Sequence, residues 1–171
     1  MKKGIFTSLL VMLFISIPSV AQEAKFKATF TLNFIRYIGF PDESTKGDFV
    51  IGVLRSKEIA DHLKEQSAGK KFGFQDVVIK EFKSIEEITP CQVVFVSSYA
   101  NYGKNAVTIA QKAGKNSLIV TESEGATGNG AVINFVVRDE KLKFEIHKAN
   151  AGKAGLQISS KLEGMASAIN L

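Results

Sequence analysis

Two short stretches in the middle of this chain, Gln92–Val96 and Leu118–Val120, constrain its fold more than any other feature. Both are apolar and rich in β-branched residues. A strand with one wet face alternates apolar and polar side chains, so an unbroken apolar run marks a strand covered on both sides. Between them, residues 103–113 read as a helix closed by Gly114, the kind of crossover that lets two strands pair in parallel. Phe49–Leu54 carries the same strand signal with Gly52 inside it. Ser56 is placed to cap a following helix whose inner side is Ile59, Ala60, Leu63 and Ala68 and which Gly69 ends. Val77–Ile79 centres a further strand, and Glu86 and Glu87 fall in a short connecting turn or helix. This first half alternates strands and helices in the manner of a parallel sheet.

Beyond Val120 the style changes. Gly125, Gly128, Asn129 and Gly130 form a glycine-rich loop, after which Ala131–Val137 and Lys141–Ile146 flank the turn Arg138-Asp139-Glu140. In the second arm Leu142, Phe144 and Ile146 alternate with Lys141, Lys143 and Glu145, which predicts an antiparallel hairpin with one buried face. A long helix is expected over residues 148–169, where Gly155, Ile158, Leu162, Met165 and Ile169 recur at alternating spacings of four and three. Near the other end, residues 24–40 are helical in character until Pro41-Asp42-Glu43-Ser44 stops them. The reading is a single α/β domain, a central mixed sheet of about six strands flanked by four to five helices.

The first 21 residues belong to a different category. Lys2 and Lys3 precede an apolar run from Ile5 to Ile17, Pro18 ends it, and Ser19-Val20-Ala21 offers small residues for cleavage. That order is the order of a secretory signal peptide cut after Ala21. The run falls short of the roughly 20 residues a membrane-spanning helix needs. Residues 22–171 are then the folded domain, exported and periplasmic, with no transmembrane segment of its own. Lys2 and Lys3 supply two of the net charge of +5. So modest a remaining balance argues against nucleic acid as a partner. The single cysteine, Cys91, excludes an internal disulfide, and its position at a strand start reads as a small buried hydrophobe.

Catalysis has little to work with. His62 and His147 stand 85 positions apart with no cysteine or acid at metal-ligand spacing. Ser67-Ala68-Gly69-Lys70 has a serine–lysine spacing without companion motifs. The glycine-rich loop leads into a strand, where a phosphate cradle would open a helix. No cofactor, metal or catalytic residue is expected.

The first helix is more informative. Wound at about 100° per residue, it places Phe26, Phe30, Phe34 and Tyr37 on one face and Ala28, Leu32 and Ile35 on another, with Lys25, Thr29, Asn33 and Arg36 between. One apolar stripe docks a helix on a sheet. The second must meet another helix of the domain, a dimer mate or a different protein. The aromatic face with Asn33 and Arg36 beside it is therefore the candidate partner or dimer surface.

In their order and spacing these pieces resemble the YfiR family of periplasmic proteins. The likeness runs through Lys27-Ala28, Asn33-Phe34-Ile35-Arg36-Tyr37-Ile38-Gly39-Phe40-Pro41, Ile51-Gly52-Val53-Leu54, Cys91–Val96 and Leu118–Thr121. Its strongest stretch is Gly130–Phe135, followed by Lys143–Ile146 and Ala154–Leu162. The resemblance implies an α/β fold, usually a homodimer, and a non-catalytic repressor that holds the periplasmic sensor of an inner-membrane diguanylate cyclase inactive. Other members of the family accompany histidine kinases. Phe40 stands where the family usually has tryptophan. Repressors of the family also use several cysteines as a redox switch, which Cys91 alone cannot provide.

Sequence and resemblance together point to a non-enzymatic periplasmic regulator of a membrane diguanylate cyclase or histidine kinase. The competing reading is a small-ligand-binding module reporting to a kinase or a transport system, which predicts a concave pocket near the glycine-rich loop.

Overall fold

The computed structural model describes residues 20–171, so the expected export signal lies outside them but for its last two residues. Helix α1 (Val20–Phe34) tightens into a 3-10 turn at Ile35–Tyr37 and meets a two-residue strand, β1 (Ile38–Gly39). The helix expected up to residue 40 therefore ends earlier, because Ile38 already takes an extended backbone. Next come β2 (Phe49–Leu54), α2 (Lys57–Ser67), β3 (Lys71–Phe72), β4 (Gln75–Phe82), β5 (Val93–Val96), α3 (Tyr102–Ala113) and β6 (Leu118–Thr121). The Ser56 side chain caps α2 by accepting from the Ile59 amide. Gly69 and Gly114, closing the turns after α2 and α3, both have positive φ, a conformation other residues adopt only at a cost.

Strands β7 (Ile133–Arg138) and β8 (Lys141–His147) form the expected hairpin. Arg138 pairs with Lys141, leaving Asp139 and Glu140 as a two-residue turn in which both have positive φ. An eight-stranded sheet results, in the order β10-β8-β7-β6-β5-β2-β4-β3, where β10 is Ala168–Asn170. Strands β4, β2, β5, β6 and β7 run parallel, and β8 turns antiparallel to β7. The described residues form a single α/β domain with a mixed sheet and five α-helices.

The long helix expected over 148–169 does not form. In its place stand α4 (Lys148–Lys153), β9 (Gln157–Ile158), α5 (Ser160–Glu163) and β10. Gly155 takes a φ of +70° and turns the chain. Strand β9 then pairs antiparallel with β1, which puts Ile158 opposite Ile38. Of the expected seam only Leu162 is fully buried, while Met165 and Ile169 are exposed.

Alternation along the central strands divides the core in two. Ile51, Val53, Val93, Phe95, Leu118 and Val120 face α1 and α2. Leu54, Val94, Val96 and Ile119 face α3 through Tyr102, Ala106 and Ile109. At Gly52 a β-carbon would meet the Phe82 ring at 2.5 Å. Glycine is thus required there by close packing and not by backbone shape. Phe40 keeps the role of an aromatic anchor, its ring edge-on to Phe49 at 5.2 Å and to Phe72 at 6.0 Å.

Candidate functional site

Both stripes of α1 meet partners inside the domain. Ala28 and Ile35 are buried. On the aromatic stripe, Phe34 is 1% exposed and lies 4.8 Å from Phe144 and 5.6 Å from Phe135, ring to ring. Phe30, half-buried, reaches the same two rings at 6.2 and 6.3 Å. Tyr37 is half-buried under the Lys161 ammonium, 5.1 Å above its ring. Four phenylalanines from α1 and the hairpin make one aromatic cluster, and within it Phe34 serves as core.

Phe26, one turn before Phe30, lies beyond that cluster and is 48% exposed. With Phe30 it forms one wall of a groove of about 380 Å³ whose other wall is Val137 and Leu142 of the hairpin. Glu23, Glu140 and Lys141 supply charges at its edge. Val137 is 55% exposed beside the buried Val136. The sequence reading missed Val137 and Leu142, although period-two alternation already sets one of two adjacent valines on the wet side. Asn33 and Arg36 are exposed but lie elsewhere, lining a smaller cleft of about 120 Å³ with Gln66 and Phe72. The six residues grouped on the helical wheel thus separate into core (Phe34), groove (Phe26, Phe30), a ring beneath Lys161 (Tyr37) and a second cleft (Asn33, Arg36).

The topology marks another position. Helix α2 leaves β2 toward one face of the sheet, while α3 leaves the adjacent β5 toward the other. In open α/β sheets ligands sit in the crevice outside the carboxyl ends of two such strands. Here that crevice is a cleft of about 360 Å³ that α1 enters with Lys27. The Lys27 ammonium stands 2.5 Å from both Glu122, just past β6, and Glu23. Glu122 also accepts from the Ser98 amide at 3.0 Å. Burial works against the Lys27 charge, but the hydrogen bonds to Glu122 and Glu23 outweigh it and leave its pKa above the ordinary 10.5. The chain occupies the crevice with its own side chain.

The remaining candidates have structural duties. His147 caps α4, its Nδ1 accepting from the Asn150 amide, and His62 lies beside Glu65 on α2. Among the described residues no three His, Cys, Asp or Glu side chains are gathered to hold a metal. Cys91 is buried, and desolvation pushes its thiol up to about 11. No described helix is long and apolar enough to cross a membrane.

No functionally curated protein matches the chain. Among solved structures, the crystal structure of a conserved domain protein from Vibrio cholerae superposes with a TM-score of 0.55 at 12% identity, over 86% of this chain and 60% of that one. At that identity the likeness shows the fold alone, and this chain spans well under two thirds of the solved one. A family model described as YfiR/HmsC-like matches residues 24–167, from the first turns of α1 to the approach to β10, and the chain belongs to that family of periplasmic regulatory proteins.

Proposed function

We propose that this protein is a non-enzymatic periplasmic regulator that binds the sensor part of an inner-membrane signalling protein, such as a diguanylate cyclase, and holds it inactive. Family membership supports the regulatory part of this reading. The observation that carries the binding part is the groove between α1 and the hairpin, where Phe26 and Val137 expose apolar surface on elements that the aromatic cluster holds rigid. A regulator that prefers the inactive state of its target shifts the population toward it and needs no chemistry of its own. Export with cleavage after Ala21 would deliver residues 22–171 to that compartment.

The test uses the mature chain co-expressed with a membrane diguanylate cyclase of the same organism, with cyclic di-GMP as the readout. Wild type is expected to lower the nucleotide level. The Phe26→Asp/Val137→Asp variant should fail to do so while keeping its melting temperature, because both side chains are already half in water. A variant that still restrains the cyclase would overturn the assignment of the groove. A wild-type chain that leaves every such cyclase untouched would overturn the reading itself.

A further inference from the structure

The largest cleft among those described lies away from the α1 groove, between the end of α3 and α4, beside the last glycine of the glycine-rich loop. It has a volume of about 550 Å³, within the range of small-molecule sites. Its floor is apolar, made by Ile119 of β6 and Val132 just ahead of β7, both more than nine-tenths buried. Two charged groups stand at its rim without protein partners. The Lys115 and Lys153 ammoniums stand in no ion pair or hydrogen bond among the described residues, and no carboxylate lines the cleft. Ser117, 4% exposed, also lines the cleft, its hydroxyl engaged with the Cys91 thiol.

Both lysines sit near helix C-termini, where a cation is favoured by the helix dipole. Lys112, by contrast, is engaged elsewhere, donating to the Glu86 carbonyl of the turn after β4 at 3.1 Å, whereas Lys115 and Lys153 reach no carbonyl. Two full positive charges over an apolar floor, with no acid to neutralise them, select for negative charge attached to an apolar body. We infer that the cleft between α3 and α4 is a binding site for a small organic anion with an aromatic or aliphatic body, held by Lys115 and Lys153 at its rim and by Ile119 and Val132 beneath. The inference is independent of the α1 groove and of any membrane partner.

The probe is 8-anilinonaphthalene-1-sulfonate, an aromatic anion, compared with the uncharged N-phenyl-1-naphthylamine, both titrated by fluorescence into the mature chain. Saturable one-to-one binding of the anion is expected. Lys115→Gln/Lys153→Gln, two exposed substitutions that leave the melting temperature unchanged, should weaken the anion by about tenfold or more and the uncharged dye hardly at all. Ala110→Trp, which fills the cleft from α3, should remove both. Phe26→Asp should alter neither, which separates this site from the α1 groove. Anion binding that survives the double lysine variant, or that disappears with Phe26→Asp, would overturn the proposal. So would the absence of saturable binding to the wild type.

Discussion

Lys27 of α1 donates to Glu122 across 2.5 Å of space and 95 residues of sequence. The pair is largely sheltered, with 12% and 13% of the two side chains exposed, so removing one partner leaves a charge with little water to solvate it. Lys27→Met is expected to cost about 1–3 kcal/mol in urea unfolding. Lys27→Met combined with Glu122→Gln should recover part of that loss, because the stranded carboxylate is gone. A double variant as unstable as the sum of its singles would show that the two residues do not interact.

The same pair dictates a dependence on pH. A lysine whose pKa is raised in the fold contributes its full stability below 10.5 and loses it as pH climbs through the higher folded value. Cys91 acts in the same direction and earlier. Its thiol, held up to about 11 against an ordinary 9.0, stays neutral in the fold while the unfolded thiol ionises. Stability should therefore fall between pH 9 and 11 by about 2–3 kcal/mol from this group, and Cys91→Ala should lack that part of the decline. Iodoacetamide at pH 8 should label Cys91 only at the rate of unfolding, and rapid labelling of the native protein would refute the burial argument.

Phe34→Ala should destabilise by about 3–5 kcal/mol, since it empties the space between Phe135 and Phe144. Phe26→Ala, on the same helical face two turns earlier, should stay within about 0.5 kcal/mol. Thermal melts of the two variants distinguish core from groove without reference to any partner.

Gly52→Ala sets a methyl against the Phe82 ring and should cost about 1–3 kcal/mol. Phe82→Leu in the same chain should return some of it. At the hairpin, Glu140→Gly removes a left-handed conformation from a residue with a β-carbon. It should raise the melting temperature by roughly 2 °C.

Sequence was most legible where the signal is local. The unbroken apolar runs of β5 and β6, the Ser56 cap, and the glycines after α2 and α3 each act within a few residues, and each stands where expected. The 148–169 segment failed because its spacing of apolar residues was a coincidence of two short helices and two short strands. Gly155 counts as the first position of that helical seam by spacing, but its left-handed backbone ends a helix instead. Strand β10 is exposed along its length, so it carries no alternation to read. For α1 the wheel sets Phe26, Phe30 and Phe34 on one side but does not say what meets them. Phe135 and Phe144 lie about a hundred residues downstream, and only the fold brings them to Phe30 and Phe34.

That distance sets an order of events. A helix of α1's length is marginal in water by itself; α2 packs against it early in the chain, but its other partners, Glu122, Phe135 and Phe144, all lie in the last third. Until β6, β7 and β8 have formed, α1 lacks the partners of Lys27, Phe30 and Phe34. Native contacts this far apart in sequence slow folding and prolong the exposure of apolar surface. The aromatic cluster that steadies the finished molecule is therefore also where its apolar surface stays open late in folding.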